Sequence, residues 1–463
     1  MAEGTLSWER VQVEREVETV SRPSLSYWQD AWIRLKANRR ALISLYLVIA
    51  LVAFTLLGPF VWTVDPAAQD LDQISVPPGA DRTATVVGDY SPWRGVTATA
   101  TADDGGELAA PVSVSVVDQP TTNSVRLRWD PVPGAGGYRV YRNRYDPEPD
   151  GALGLPIAEI LNPVNVSFED RLDLKAETYF YSVVALDSRG RESPNYTTAT
   201  AGVTRVITAA EAVEKGLIDN ESDVQLGDTV EMAFHPLGTD YLGRDMLARL
   251  MHGARVSLFI GIVAPFFFVI IGILYGSAAG FMGGRADQVL MRFADFVVAL
   301  PFLLFMILLR ILFNVESGDS GIGPMLVAMV LLSWPAAARL VRGQILQIRE
   351  EGYIGASRLL GAKTNYLILR HMIPNTMGVI LVTLTFAVPS AIFTEAFLSF
   401  IGMGVAPPTP SWGSMCNEGL KTMLTTPHEL IAPAAFISIT VLAFNLLGDG
   451  LRDALDARMR ATE

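Results

Sequence analysis

Long uncharged apolar runs are the main feature of this chain. The four runs without a charged residue cover 41–63, 256–282, 377–394 and 430–448. A helix needs about 20 residues to cross roughly 30 Å of hydrocarbon, so each run predicts a transmembrane helix. Two weaker spans, near 294–313 and 322–338, contain Arg310 and Pro335 respectively. The pattern therefore predicts an all-α polytopic membrane domain with six transmembrane helices.

The positions of Lys and Arg set the expected orientation, because cytoplasmic loops of membrane proteins are enriched in these residues. Basic residues precede the first span at 41–63, lie between Arg339 and Arg370, and recur after residue 450. In the loops 314–321 and 403–429, the only Lys or Arg is Lys421. We therefore expect both termini to be cytoplasmic, as an N-terminal segment of residues 1–40 and a tail of residues 451–463.

A short amphipathic helix is expected just before the first span. Within residues 24–38, one helical stripe carries Trp28, Ala31, Trp32 and Leu35, with charged residues opposite. This arrangement is typical of an interfacial helix that lies along the inner leaflet. The alternative is a solvated helix packed on a partner protein.

Residues 64–234 form an acidic insert between the first two spans. They hold 27 acidic and 13 basic residues, a net charge of −14 against −12 for the whole chain, which leaves the remainder at +2. An acidic insert argues against nucleic-acid binding. The single cysteine, Cys416, allows no disulfide within the chain. The insert must therefore be held together by packing.

The middle of the insert has the period of a β-sheet. From about residue 111 to 206, apolar and polar positions alternate, as they do through Val125, Leu127 and Trp129. Alternation broken by Gly- and Pro-containing turns predicts an extracytoplasmic all-β sandwich. Residues 64–110 are expected to be irregular, and residues 207–234 are expected to form a mostly helical linker.

A polar segment separates two of the apolar spans. Residues 351–375 read EGYIGASRLLGAKTNYLILRHMIPN and are helix-patterned. A charged amphipathic stretch between two membrane-crossing helices has to lie outside the hydrocarbon, here on the cytoplasmic side. We therefore predict a cytoplasmic helix at about 346–362.

Three further motifs accompany this segment in a fixed order. They are HPLGTDYLGRDMLARLMHGARVSLFIG at 235–261, PPTPSWGSM at 407–415 and FNLLGDGLRDALDARMR at 444–460. Together with 351–375, they resemble the ABC-importer permeases of the dipeptide, oligopeptide and nickel group, and most of all the C-type subunit. The resemblance implies a type I ABC importer fold, with a permease core at 235–450 that contains five of the six spans. It also implies the bacterial or archaeal cytoplasmic membrane as the location.

The resemblance implies partners rather than a catalytic centre. A homologous permease chain would complete the pathway, and two cytoplasmic ABC ATPase subunits would carry the ATP and Mg²⁺. An extracytoplasmic solute-binding protein would deliver the substrate, a short peptide. Importers of nickel, oligosaccharides or other small solutes share this architecture, so the substrate stays open. The chain itself would hold no cofactor and no metal.

The coupling motif of these permeases places Glu-Ala-Ala, then a Gly and then a Pro at fixed spacing. The matching positions are Gly355, Ala356, Ser357, Gly361 and Pro374, with Arg358 beside them. Gly355 replaces the Glu of the family, and Ser357 replaces its second Ala. The small side chains are expected to let the helix approach a groove on an ATPase closely. An ion pair made by the family Glu is not expected here.

Two other groups of polar residues lie at or within the spans. An outer-entry motif consists of Gly238, Asp240, Gly243, Arg244 and Asp245, next to Arg249. These residues predict ion pairs and a helix cap where the chain re-enters the membrane, with gating of the outer mouth as the alternative. Glu395 lies within a span, where a charge costs about 2.5–3.5 kcal/mol on insertion scales, so it must face protein or water. It either lines the translocation path or makes a polar packing contact.

The chain shows no pattern of a catalytic site. In Gly361-Ala362-Lys363-Thr364 an alanine separates the Gly from the Lys that a nucleotide-binding loop needs next to it, and no strand precedes the segment. The four histidines are scattered and form no HExxH metal motif. The GxSxG motif of serine hydrolases is also missing from the sequence. We therefore expect a transport subunit without its own ATPase site.

The sandwich carries a second resemblance. The stretches SVRLRWDPVPGAGGYRVYRN and YFYSVVALDSRGRESP resemble a fibronectin type III domain. That resemblance implies a seven-stranded sandwich with Trp129, Tyr138 and Tyr181 in its core. The insert, which departs from the family pattern, either docks the binding protein, covers the outer mouth or is a tolerated insertion. The competing function is a membrane-anchored adhesion or sensor protein that works through the sandwich, which would leave five spans unexplained.

Overall fold

The computed structural model describes residues 27–99, 108–148, 151–316 and 319–455. The chain divides into two compact units, one made of the residues up to Gly79 and from His235 onward, the other of Ala80–Phe234. The predicted start of the permease core at residue 235 coincides with this boundary. The predicted start of the insert at residue 64 does not. Residues 64–79 pack with the membrane unit, where the Ser75 N–H donates to the Asp240 carbonyl at 2.8 Å.

The membrane unit is built from helices. In chain order they are α1 (Tyr27–Ala37), α2 (Arg39–Val61), α4 (Met246–Met282), α5 (Gly284–Ala299), α6 (Phe302–Leu312), α7 (Ile322–Arg349), α8 (Gly352–Leu359), α9 (Thr364–Phe400), α10 (Trp412–Lys421) and α11 (His428–Leu455). The short α3 (Ala209–Glu214) belongs to the other unit. In the described part, α2, α4, α7, α9 and α11 are long and apolar enough to cross a membrane, and α5 with α6 makes a sixth, bent span. The predicted helical membrane domain is thus confirmed.

The third span differs from the straight helix predicted near 294–313. Helices α5 and α6 meet at an angle of 80°. Leu300 and Pro301 are both extended, with ψ of 124° and 115°. A proline has no N–H to donate and disfavours the helical region for the residue before it, so the helix ends there and a new one begins. By contrast, Pro265, Pro335 and Pro389 lie inside continuous helices.

Helices α4 and α7 are packed unusually closely. Gly272, Gly276 and Gly280 recur every four residues along the face of α4 that meets α7. A Cβ at Gly272 would lie 2.6 Å from the Ala337 Cβ, and one at Gly276 would collide with the Ala338 carbonyl oxygen. In lipid there is no hydrophobic drive between helices, so close van der Waals contact across such small residues supplies the association.

The insert contains the predicted sandwich. Its strands are β1 (Thr83–Val87), β2 (Val114–Val117), β3 (Val125–Trp129), β4 (Gly137–Asn143), β5 (Ala158–Ile160), β6 (Ser167–Asp170), β7 (Thr178–Leu186), β8 (Thr197–Gly202), β9 (Val206–Thr208) and β10 (Thr229–Glu231). One sheet has the order β2-β3-β6 and the other β5-β4-β7-β8, all antiparallel. These seven strands form the sandwich that the fibronectin-like pattern implied.

The core of the sandwich consists of the residues expected there. Trp129, Tyr138 and Tyr181 are all buried, and the Trp129 and Tyr138 rings meet edge to face with centroids 5.3 Å apart. The Tyr181 hydroxyl donates to Asp170 at 2.7 Å, and its burial raises the pKa of the phenol above its ordinary value. The hydroxyl of a buried tyrosine needs such a partner, which fixes its orientation.

The two flanks of the insert differ from their predictions. Strand β1 lies within residues 64–110, which were expected to be irregular, and β9 and β10 lie beyond the sandwich. The three form a small separate sheet of order β10-β1-β9. The region 207–234 was expected to be mostly helical, but its only α-helix in the described residues is the short α3. Pairing between strands far apart in sequence leaves no local periodicity to detect.

Candidate functional site

The predicted cytoplasmic helix is shorter than expected. Helix α7 continues to Arg349, and α8 covers only Gly352–Leu359, whereas the sequence predicted one helix at about 346–362. Residues up to Arg349 stay in α7 because its last turn is held against α4. The Arg349 guanidinium donates to the carbonyls of Gly280 and Phe281, at 3.3 and 3.4 Å. These are carbonyls of the last turn of α4, which lack partners within the helix.

Helix α8 is fixed to the bundle by one side. Ile354 is fully buried in the apolar cluster that also contains residues of α4, α7 and α9. The Arg358 guanidinium lies over the Phe281 ring at 4.8 Å from its centroid. The Tyr353 hydroxyl accepts a hydrogen bond from the Asn375 side chain at 2.7 Å. Contacts to three different spans hold this short helix in a defined position.

The opposite side of α8 is an exposed apolar surface. Gly355 and Ala356 are exposed, and at the end of the helix Leu359 and Leu360 are 90% and 89% exposed. We call these four residues the α8 tip. Ser357 turns its hydroxyl back onto the Tyr353 carbonyl at 2.8 Å. The α8 tip thus presents two adjacent, exposed leucines on a helix that is held in place from its other side.

Gly361 terminates α8. Its φ is +85°, and the Ala362 N–H donates to the Ser357 carbonyl at 3.1 Å. This left-handed glycine after the last helical turn is a common way to end a helix, because other residues pay a steric cost there. No atom lies within 4 Å of a Cβ built on Gly361, so the positive φ, and not crowding by neighbours within this chain, is what favours glycine here. The sequence interpretation, close approach to a partner, had not foreseen this reason.

Pro374 lies beyond the α8 region, in α9. It follows a wider π-helical turn, Leu367–Met372, and stands at the start of the regular part of the helix. A proline inside a helix removes one backbone donor, and wider turns of this kind often occur at functional sites. The structure thus places Pro374 in the same polar region as α8, next to Asn375, which contacts Tyr353.

The outer-entry motif lies at the other end of α4. Asp245 caps α4, accepting from the Ala248 N–H at 2.6 Å and from the Trp62 indole at 3.1 Å, and the His235 Nδ1 lies 2.7 Å from it. Gly238 and Gly243 have φ of +76° and +73°, and a Cβ on either would collide with the backbone of residues 70–76. The motif therefore joins the end of α2 to the start of α4.

Four buried charges are connected beside this cap. Arg244 donates to Asp240 at 2.7 Å and to Glu418 at 2.9 Å, while Arg249 contacts Asp240 and donates to Glu418 at 2.7 Å. All four residues are buried. We call them the outer charge cluster. Its two positive and two negative groups balance, which offsets part of the cost of burying them. The ion pairs and the helix cap expected here are both present.

Glu418 is the member of the outer charge cluster that the sequence interpretation missed. It lies on α10, and its partners Arg244 and Arg249 are 174 and 169 residues away. No local pattern connects them. The one available signal was an acidic residue in a short apolar helix outside the spans, which needs a partner when it is buried.

Glu395 is a packing residue in this structure. Its side chain is 0% exposed and accepts hydrogen bonds from the Ser257 and Ser399 hydroxyls at 2.7 and 2.8 Å. Ser257 also accepts from the Trp412 N–H at 3.3 Å, so the carboxylate connects α9 with α4 and α10. The geometry agrees with the polar packing contact and does not place Glu395 on a surface that could line a path.

Within the described ranges, no three His, Cys, Asp or Glu side chains are grouped so that they could ligate an ion. The charged groups of the outer charge cluster are paired with one another. What these sites can do is to hold helices together and present a surface.

Known proteins match the two parts of the membrane unit. The family described as "Binding-protein-dependent transport system inner membrane component" matches residues 272–461, and "N-terminal TM domain of oligopeptide transport permease C" matches 26–78. Both matches lie outside Ala80–Phe234. The chain thus carries its sandwich between two parts of a known permease.

Relatives of known annotation share this membrane part. The oligopeptide transport system permease protein OppC of Bacillus subtilis is 49% identical over 226 residues, 49% of this chain and 72% of the relative. The dipeptide transport system permease protein DppC of the same species is 48% identical over 229 residues, 49% of this chain and 70% of the relative. The glutathione transport system permease protein GsiD of Pectobacterium atrosepticum is 41% identical over 227 residues, 49% and 74% respectively.

These matches agree with the helical membrane unit, its six spans and the motifs at both of its ends. The chain therefore belongs to the family of binding-protein-dependent inner-membrane permeases of ABC importers, with the C-type oligopeptide and dipeptide permeases among its relatives.

Proposed function

We propose that this permease imports short peptides and is driven by ATPase subunits that dock on the α8 tip. A homologous permease chain would complete the pathway, and a solute-binding protein would deliver the substrate outside. The relatives are named for oligopeptides, dipeptides and glutathione, which are all peptides. ATP and Mg²⁺ would be bound by the partner subunits, and both termini of this chain would be cytoplasmic.

The exposed α8 tip is the observation that carries this proposal. Helix α8 joins α7 to α9, so it lies at the opposite membrane face from α10, which joins α9 to α11. Leu359 and Leu360 are almost fully exposed there, beside the basic residues Arg358 and Lys363. An apolar centre with a polar rim is the usual composition of a protein interface. Because Gly355 stands where the family motif has Glu, the tip would dock mainly through apolar contacts.

The fixed side of α8 explains how docking would drive transport. A displacement of the tip acts on Ile354, which is packed among α4, α7 and α9, and on Arg358, which lies on Phe281 at the end of α4. Arg349 connects the same end of α4 to α7. Because tightly packed helices move as rigid bodies, closing of the ATPases would shift several spans together between inward- and outward-facing states.

The test is to make the tip polar. Leu359→Asp with Leu360→Asp is expected to abolish co-purification of the ATPase subunits and ATP-dependent peptide uptake. The substitutions touch no buried atom, so the chain should remain in the membrane at its normal level. Leu424→Asp is the matched control, since Leu424 is 93% exposed and lies after α10 at the opposite face. It should leave ATPase association unchanged.

Normal ATPase association in the doubly substituted chain would refute the docking role of α8. Uptake assays with labelled dipeptides, longer peptides, nickel and oligosaccharides would then identify the cargo. Uptake of nickel or an oligosaccharide in place of peptides would refute the substrate class and leave the docking role standing.

A further inference from the structure

Helices α1 and α2 are separated by the extended residue Asn38, and this corner lies against the end of α11. Leu35 of α1 packs in a small apolar cluster with Ala41 of α2 and Ala454 of α11. A Cβ on Gly450 would collide with the side chain of Ala41, so α11 and α2 touch there without any space between them. The Asn38 side chain accepts from the N–H groups of Arg40 and Ala41 at 3.2 and 3.3 Å and starts α2. The corner is therefore rigid.

The other side of α1 is apolar and exposed. Trp32 and Ile33 are 47% and 53% exposed. The same kind of surface continues along α2, where Ile43 and Tyr46 are exposed in a helix that crosses the membrane. Exposed apolar side chains therefore occur on both sides of the corner.

A basic group follows directly after these residues. Lys36, Arg39 and Arg40 are exposed at the corner, and the Lys36 ammonium lies 5.0 Å from the centroid of the Trp32 ring. Throughout the ranges that the structure describes, no carboxylate is recorded in an ion pair with any of the three. We call Trp32, Ile33, Lys36, Arg39 and Arg40 the α1 corner.

We propose that the α1 corner binds the headgroups of anionic phospholipids. Trp32 and Ile33 would enter the boundary between headgroups and acyl chains, where amphipathic aromatic rings are favoured. Lys36, Arg39 and Arg40 would contact the phosphates of the same leaflet. Three positive charges and exposed apolar side chains next to a spanning helix fit an anionic bilayer surface, whereas a soluble protein partner would leave the exposed apolar side chains of α2 unexplained.

Lipid binding at the α1 corner would affect two spans at once. Because α1 packs on both α2 and α11, lipids held there would fix the ends of two spans at one membrane depth. The inference requires neither the substrate nor the ATPase proposed above, and an experiment in symmetric nanodiscs does not depend on the orientation of the chain.

The experiment measures which lipid lies next to Ile33. The full chain carries Ile33→Cys in a Cys416→Ser background, is labelled with bimane and is placed in nanodiscs of phosphatidylcholine and phosphatidylglycerol. Bromine on the acyl chains of one lipid at a time quenches the label, which gives the relative binding constant of the two. We expect phosphatidylglycerol to be preferred. Each basic side chain near an anionic surface is worth about a fivefold preference.

Substitutions then assign the preference to charge. Lys36→Gln with Arg39→Gln and Arg40→Gln is expected to remove it, whereas Lys36→Arg with Arg39→Lys and Arg40→Lys should retain it. The charge-matched control removes three exposed arginines of the insert, Arg171→Gln, Arg189→Gln and Arg191→Gln, and should change nothing. In the unsubstituted labelled chain, 1 M salt should abolish the preference, because the screening length falls to about 3 Å.

Two results would overturn the proposal. Equal quenching by the two brominated lipids would show that the corner touches lipid without selecting its charge. Absence of quenching by either lipid would show that Ile33 faces water or protein.

Discussion

Glu418→Gln is expected to destabilise the membrane unit strongly. The substitution keeps the shape of the side chain but removes one of the two negative charges that balance Arg244 and Arg249. Glu418 accepts hydrogen bonds from these residues at 2.9 and 2.7 Å, and a bond to a charged group contributes about 1.5–3 kcal/mol. Removing one partner of a buried ion pair costs about 3–5 kcal/mol. Since the glutamine can still accept one bond, we expect a loss of about 3 kcal/mol.

The matched control is Glu429→Gln. Glu429 is also a buried carboxylate, but it accepts from the Thr422 and Thr426 hydroxyls, at 3.0 and 2.8 Å, and has no cation beside it in the described structure. A glutamine there leaves no uncompensated charge. Its effect on stability is therefore expected to be small.

A second substitution tests whether the loss comes from charge imbalance. Arg249→Gln added to Glu418→Gln leaves Asp240 and Arg244 as a neutral pair, which are 2.7 Å apart. We expect the double variant to be more stable than the sum of the two single variants, since contacting charges couple.

Thermal stability of the purified chain in detergent measures these effects. A loss of about 3 kcal/mol corresponds to a fall of roughly 5–10 °C in the apparent Tm of a unit of this size. The reasoning would be refuted if Glu418→Gln lowered the Tm no more than Glu429→Gln, or if the double variant were as unstable as the sum of the singles.

Three other outcomes are expected. Gly276→Ala should push α4 away from α7 and lower the stability of the membrane unit by about 1–3 kcal/mol. Gly343→Ala is the control, since no atom lies within 4 Å of its new Cβ, and it should not lower the stability. The same thermal assay compares the two variants. Tyr181→Phe should cost about 1–3 kcal/mol by removing one of the three hydrogen bonds that the Asp170 side chain accepts in the described structure, the other two coming from Arg142 and the Leu172 N–H. The loss should be seen as faster proteolysis of the insert and not of the membrane unit. If the insert docks the binding protein, deletion of 81–232 should reduce uptake while the chain still inserts, and unchanged uptake would exclude an essential docking role.

Local patterns in the sequence were sufficient for the spans and the sandwich. The charge-free runs correspond to α2, α4, α9 and α11, because hydropathy over a window is a local property. The alternating residues correspond to β3, β4 and β7 for the same reason. The ends of helices were harder to predict. Helix α4 begins ten residues before the uncharged run at 256–282 because the charge of Arg249 is neutralised by distant partners.

The features that were missed depend on contacts between distant residues. The pairing of Glu418 with Arg244 is one, and the sheet that joins β1 to β9 and β10 is another. At α8, the motif located the segment correctly, but the reason for Gly361 became visible only from its backbone geometry. The structure supplied what the predicted residues contact at α8 and at the outer charge cluster.

Photo-crosslinking from position 359 tests the central claim most directly. A photoreactive amino acid replaces Leu359 in cells that carry the whole transport system, with the same substitution at Leu424 as the control, and the captured chains are identified by mass spectrometry. The account predicts that position 359 captures an ATP-hydrolysing subunit and that position 424 does not. Peptide uptake by cells in which position 359 captures no such subunit would contradict it.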